Sequence, residues 1–274
     1  MNAGFSRAII FTKKADSKAK SLSKEVEFFL KANGLGVSVK PQKADLAIVI
    51  GGDGTLLGAV RELNNAVGKS KELPLLVGIH TGSLGFLTEC TLDGWKAHIS
   101  KGLKNGFNFE TRSMLDLKLQ GARLSYTALN DVVVNRSNVA RMIEFNVHYN
   151  GEFISSTRSD GVIVSTPTGS TAYSLAAGGP IVHPAMPAFL ITPICPHTLT
   201  NRPIVVSDDG VIDIKVSTPT DDVIITLDGQ EAVHCPKGKA ISIKKSDRVL
   251  RLVRPKEQTY FNTLRNKLSF GKRG

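Results

Sequence analysis

The sequence predicts an α/β N-terminal domain on an open parallel sheet, then an all-β, sandwich-like C-terminal domain, with a terminal segment that returns to the first domain. Three observations carry this. Short continuous apolar runs alternate with helical periodicity over the first hundred or so residues. Beyond about residue 111 the pattern changes to closely spaced β-rich runs separated by turn signals. Helical periodicity comes back in TYFNTLRNKLSF (259–270).

RAIIFT (7–12) reads as a strand, and KAKSLSKEVEFFLKANG (18–34) has apolar residues at helical spacing, with Gly34 as its stop. ADLAIVI (44–50) is a second strand, TLLGAVRELNNAV a second helix and LPLLVGI (73–79) a third strand. Continuous apolar strands of this kind belong to parallel sheets buried on both faces. Open sheets of alternating strand and helix bind ligands at the carboxyl ends of their strands. GGDGT (51–55) and TGSLGF (81–86) both lie at such ends.

The β-rich part contains MLDLKL, ALNDVVV, EFNVHY, GVIVST, PIVV, VIDIKV, DVIITLDG and AISIKK, divided by NG, SDDG and PKGK. The α/β domain therefore takes residues 1–110 with about 255–274, and the β-rich domain 111–254. No repeat, low-complexity tract or flexible linker interrupts them.

A chain of 274 residues with 41% apolar composition buries a sizeable core. No apolar run reaches the ~18 residues that span a bilayer, and MNAGFSRAIIFTKKAD lacks the order of a signal peptide, so a cytoplasmic location is expected, with no membrane partner. Cys90, Cys195 and Cys235 are too few and too scattered for a disulfide framework or a zinc site, and read as reduced thiols. The six histidines show no metal-ligand spacing. The formal charge of +11 is local: 12 Lys and Arg against 2 acidic residues follow from Lys237 on. Such a segment attracts any polyanion without naming one.

GGDGT combines backbone suited to an anion with a single carboxylate. Gly51, Gly52 and Gly54, with Thr55 at a helix start, form a candidate phosphate loop. The Walker Lys-Ser/Thr pair is missing, and Leu57 stands where a dinucleotide fingerprint needs its third glycine. Since a carboxylate repels phosphate, Asp53 suits accepting a proton from an attacking hydroxyl, binding that hydroxyl, or holding a magnesium ion. A tight turn whose aspartate caps the following helix is the plainer alternative.

RSDGVIVSTPTGSTAYSLAAGGPIVHP (158–184) is dense in hydroxyls and glycines around one ring, Tyr173, and suits a nucleoside; Arg158 and Asp160 flank it. In LNDVVVNR, Asn130 and Asp131 offer an amide and a carboxylate to paired ribose hydroxyls, or form an Asx turn.

These stretches together resemble the bacterial NAD kinases. The likeness runs from GGDGT through TGSLGFLTE, LNDVVV, RSDG, TPTGSTAYSLAAGGP and PHTLTNRP to YFNTLRNKL. GGDGT alone also resembles lipid kinases of the diacylglycerol and sphingosine type; TPTGSTAYSLAAGGP separates the two. The resemblance implies phosphoryl transfer from ATP, or inorganic polyphosphate, to the 2′-hydroxyl of the adenosine ribose of NAD. It implies that Asp53 takes the proton, with Gly54 beside it. Asn130 and Asp131 match the pair that binds ribose and adenosine, where the family shows Asn-Glu, so Asp131 is one methylene short. Arg141, Arg158 and Asp160 match positions lining the dinucleotide site. Thr171, Ala172, Tyr173, Ser174, Leu175 and Ala176 match the segment that cradles adenosine and the nicotinamide end, Phe86 packs near adenine, and Gln230 is a further contact. The resemblance also implies Mg²⁺ or another divalent cation carried in with the donor, and a homodimer or homotetramer with active sites near subunit contacts; no nucleic-acid partner is expected.

Overall fold

The three apolar runs near the N-terminus form neighbouring parallel strands. In the computed structural model, which describes residues 4–13, 16–67, 72–82, 84–88, 90–136, 142–198, 200–218, 223–255 and 258–269, the chain divides into two units. Unit 1 is residues 1–111 with 250–274, and unit 2 is residues 112–249.

Unit 1 runs β1 (Arg7–Thr12), α1 (Ser17–Ala32), β2 (Gly36–Val37), β3 (Leu46–Ile50), α2 (Asp53–Ala66), β4 (Leu75–Ile79) and α3 (Trp95–Asn105). Its sheet has the order β2-β1-β3-β4, all parallel. Every residue of β3 and β4 is buried, as the unbroken apolar runs require. Asp16 caps α1 by accepting the Lys18 and Ala19 N–H groups, and Gly34, at φ +81°, follows its end in the left-handed conformation open to glycine. Helix α3 is an element the sequence pattern did not single out. Its Trp95, Ile99 and Leu103 repeat every four residues and join the core of Leu30, Ile48 and Val77.

Unit 2 is built from β5 (Phe109–Leu119), β6 (Ser125–Ala128), β7 (Asp131–Arg136), β8 (Ile143–Tyr149), β9 (Glu152–Ser159), β10 (Gly161–Ser165), α4 (Tyr173–Ala176), β11 (Ala188–Ile194), β12 (Ile204–Ser207), β13 (Ile212–Val216), β14 (Val223–Leu227), β15 (Glu231–His234) and β16 (Ile241–Val253). One sheet joins β9, β8, β13 and the start of β16, antiparallel throughout, with β5 also paired to β16 and β6 to β5. The other, also antiparallel, has the order β12-β11-β10-β7-β14-β15. Phe145, Ile214 and Ile241 of the first meet Val132, Val164, Phe189 and Ile225 of the second in one buried cluster, the sandwich expected from the β-rich texture. β5 and β16 each continue into unit 1, where Leu252 pairs in parallel with Leu76 of β4. Helix α5 (Tyr260–Leu268), capped by Thr259, closes the described chain within unit 1.

Strands β6, β9, β11 and β15 go beyond the β runs singled out in the sequence, which reach only Ala128 of β6. Hydroxyls and charges in EFISSTRS mask the alternation of β9, and Pro193 argues against AFLITPI as a strand, although it is tolerated next to the end of β11.

Candidate active site

In unit 1 the carboxyl ends of β3 and β4 carry the two glycine-rich loops. Gly51 donates its N–H to the Ile79 carbonyl at 2.9 Å, tying the end of β3 to the end of β4. Gly51 is buried, and a Cβ there would lie 2.4 Å from Thr55 Oγ1, so its glycine serves packing rather than a ligand. Gly52 differs. Its φ of −95° is open to any residue, it is exposed, and a Cβ would meet nothing within 4 Å. No neighbour within the fold demands a glycine there.

Asp53 opens α2, but its carboxylate does not cap that helix: Gly52 is the N-cap, with no side-chain hydrogen bond. Asp53 turns instead to the loop after β4. Oδ2 accepts the Phe86 N–H at 2.9 Å; Oδ1 accepts the Leu87 N–H at 3.0 Å and the Thr88 hydroxyl at 3.3 Å. A carboxylate has about four lone-pair sites, so Oδ2 is the oxygen with the freer acceptor capacity. Gly85 makes this fit possible, because a Cβ there would stand 2.1 Å from Asp53 Oδ1.

In unit 2 the Leu129–Asp131 turn is clamped from two sides. Asp228 accepts three backbone N–H groups, from Leu129 at 3.0 Å, Asn130 at 2.7 Å and Asp131 at 3.2 Å. On the carbonyl side, Thr166 donates its hydroxyl to Leu129 O at 2.7 Å and its N–H to Asn130 O at 2.9 Å. Gly169 packs so close that a Cβ would lie 2.1 Å from Asn130 O. With its backbone fully engaged, Asn130 keeps a buried side-chain Oδ1 that has no partner among the described residues.

Asp131 stands directly across the antiparallel pair from Ser165. Asp131 is 4% exposed and Ser165 fully buried, and the Ser165 Oγ also lacks a partner among the described residues. Burial, and then the charge of Asp228, push the Asp131 carboxyl up to about 7. Buried polar atoms are nearly always satisfied, and an orphan costs roughly 1–3 kcal/mol, so this cluster asks for a polar ligand.

The same sheet face continues through Val133 and Ile163, beside Ile194 and Ala177, to Asn135, whose Oδ1 is likewise buried without a partner. Beyond it Asp160 pairs with Arg136 at 2.8 Å. Five residues of β10 separate the Asp131 end from Asp160, about 16 Å at strand rise. Of the hydroxyl-rich segment, Thr171 donates to Thr168 O at 3.4 Å and Ser174 shares a 2.9 Å hydrogen bond with Thr192. Ala172 and Leu175 are half-buried, and Ala176 is exposed. Tyr173 leaves 47% of its surface open, a platform for a flat ring. Arg158 is exposed on β9, and Gln230 follows the Asp228–Gly229 turn, exposed. Arg141 lies outside the described residues.

The glycine loop and the clamped turn each fall within a stretch matched by a family model. Residues 14–107 match the family model of the ATP-NAD kinase N-terminal domain, and residues 129–255 that of the ATP-NAD kinase C-terminal domain. The chain belongs to the NAD kinase family. It is 40% identical to the NAD kinase of Geotalea daltonii over 96% of this chain and 98% of that one, and 45% identical to that of Magnetococcus marinus over 82% and 73%. Among solved structures, an Archaeoglobus fulgidus NAD kinase in complex with ATP is similar at TM-score 0.78 and 27% identity, covering 95% of this chain and 99% of that one. Yeast NADH kinase complexed with NADH shares the fold at TM-score 0.89 and 24% identity, over 98% and 89%.

For this NAD kinase family member, sequence reasoning overlooked Asp228, Ser165, Asn135 and Arg136. The Asp-Gly pair at 228–229 signals a hairpin turn, and both residues do adopt positive φ, 52° and 64°. That the Asp228 side chain then holds Asn130 follows only from the pairing of β14 with β7.

Proposed function

We infer that the chain transfers a phosphoryl group from ATP to the 2′-hydroxyl of the adenosine ribose of NAD, giving NADP. The observation that carries this reading is the buried Asp131 carboxyl flanked by two buried atoms without a partner among the described residues, Asn130 Oδ1 beside it in a turn whose backbone is already satisfied and Ser165 Oγ across the strand pair. An amide oxygen and a carboxylate accept from vicinal hydroxyls, and a serine hydroxyl donates or accepts as needed. The roughly 16 Å between this cluster and the Arg136–Asp160 pair suits a ligand of two nucleosides rather than one. Tyr173 offers its ring to one of them, and Thr171 through Ala176 line the segment between.

Asp53 is the general base in this reading. A ribose hydroxyl is a weak nucleophile, and most of the acceleration comes from in-line placement and charge neutralisation. Proton acceptance at Asp53 Oδ2 adds about 10²- to 10⁴-fold. The Phe86, Leu87 and Thr88 donors hold the carboxylate in one orientation for that transfer. Mg²⁺ enters on the donor's phosphates, the mode suited to an ion that keeps its waters and binds through one or two carboxylates plus substrate. It supplies charge neutralisation on the migrating group. Inorganic polyphosphate as a second donor, a homodimeric or homotetrameric assembly and a cytoplasmic location complete the proposal. No helix among the described residues is long and apolar enough to cross a membrane.

Incubating the protein with NAD, ATP and Mg²⁺ and measuring NADP with an NADP-specific dehydrogenase tests this directly. NADP formation is expected; transfer of phosphate to a diacylglycerol or sphingoid base, with none to NAD, would replace the reading.

A further inference from the structure

Arg112 is among the most completely buried large side chains of unit 2, at 2% exposed. It stands on β5 two residues before the buried Met114, an inward position that an apolar residue would ordinarily fill. Its guanidinium is always charged and carries five N–H donors and no acceptor. Taking such a group out of water is expensive, and arginine is almost never sealed in a core unless it is paired there. Its place in the core therefore asks what the donors hold.

One of them reaches the hydroxyl-rich turn: Arg112 Nη1 donates to Thr168 Oγ1 at 3.4 Å, across 56 residues of chain. Thr168 is itself buried. The neighbouring hydroxyls are tied to main chain. Thr166 donates to Leu129 O and accepts the Gly169 N–H at 3.1 Å, and Ser170 donates to Pro167 O at 2.7 Å and accepts the Val182 N–H at 3.1 Å. Thr171 donates to the Thr168 carbonyl. Among these described hydroxyls, Thr168 is the one held by a side chain of another strand. Because arginine has no acceptor, Thr168 Oγ1 must accept in this bond, which fixes the hydroxyl in one orientation. A charged donor also makes the bond stronger than a neutral one.

The turn so held is a shared wall of the site. On one side Gly169 lies against Asn130 O, and Thr166 bonds Leu129 and Asn130; on the other, Thr171 opens the segment that runs to Ala176. We propose that Arg112 is a positioning residue for NAD: by gripping the Thr168 hydroxyl from the core, it sets the turn against which Asn130 rests and from which the Thr171–Ala176 segment departs. This role rests on the NAD-phosphorylating reading above and adds to it a residue that acts only through Thr168.

The test compares the full chain as wild type, Thr168→Val, Thr168→Ser, Arg112→Lys and the Arg112→Lys/Thr168→Val double variant. NAD KM and kcat at saturating ATP, ATP KM at saturating NAD, calorimetric NAD affinity and the urea midpoint are read together. Valine keeps the volume and removes the accepting oxygen, whereas serine keeps the oxygen. Thr168→Val is expected to raise the NAD KM about tenfold, with NAD affinity falling in parallel, while kcat and the ATP KM stay within about threefold; Thr168→Ser should stay within about twofold of wild type throughout. Lysine lacks the planar fork, so Arg112→Lys should raise the NAD KM to a similar extent. The double variant should be no more than about twofold worse than the worse single one, because the two changes cut one link. If Arg112→Lys does not fold, the valine and serine variants decide alone. NAD affinity within about twofold of wild type in Thr168→Val, whatever its unfolding midpoint, would overturn the proposal, and so would a serine variant as weak as the valine one. Failure of the underlying reading looks different: the wild type itself would make no NADP.

Discussion

Asp228 Oδ1 accepts the Asn130 N–H at 2.7 Å across 98 residues of chain. The same carboxylate takes the N–H groups on either side, so one side chain sets the backbone of the whole Asn130–Asp131 turn. Asp228→Ala leaves three donors to find other partners and is expected to cost roughly 2–4 kcal/mol of stability by urea unfolding. The NAD KM should rise at least about tenfold while the ATP KM holds.

Asp131 gives the fold a pH dependence of defined sign. Its carboxyl titrates near 3.8 in the unfolded chain and at about 7 when folded, chiefly through burial and secondarily through Asp228. Below the unfolded value both states are protonated, and the group has no effect. As pH rises from about 4 to about 7 the unfolded chain ionises first, so stability declines, by up to roughly 4 kcal/mol, and then levels off. Urea unfolding of wild type and Asp131→Asn between pH 4.5 and 8 should show this slope in the first and its loss in the second. Because ribose hydroxyls need the ionised acceptor, NAD affinity should strengthen only as pH rises through about 7, where the folded carboxyl ionises.

Ser165→Ala should move stability and binding in opposite directions. Removing a fully buried hydroxyl with no partner among the described residues relieves a desolvation cost, and the variant is expected to be as stable as wild type or about 1 kcal/mol more so. Its NAD KM should rise by about tenfold. A loss of stability with unchanged NAD KM would make the hydroxyl a structural group.

Gly85→Ala tests the seat of the base. The new methyl would stand 2.1 Å from Asp53 Oδ1 and 2.5 Å from Thr88 Oγ1, so the carboxylate must move. A fall in kcat of about 10²-fold or more is expected, with NAD binding retained by calorimetry.

The parallel sheet was legible because β1, β3 and β4 alternate with helices, and two of them are buried on both faces and written in unbroken apolar residues. The sandwich was legible as a texture, while β6, β9, β11 and β15 were not: each depends on a neighbouring strand to override polar composition, a proline or shortness. The residues of the candidate site divide in the same way. Asn130, Asp131 and Tyr173 stand in local patterns whose chemistry can be read along the chain. Asp228, Ser165 and Arg136 matter through what lies across a strand or a turn. No local pattern encodes such meetings.

Substitution of Asp53 by asparagine is the most direct measurement of the account, with NADP formation, calorimetric NAD binding and the unfolding midpoint followed together. Turnover is expected to fall about 10²- to 10⁴-fold while the protein stays folded and still binds NAD. Turnover within about tenfold of wild type, in a folded protein, would contradict the assignment of Asp53 as the group that takes the ribose proton.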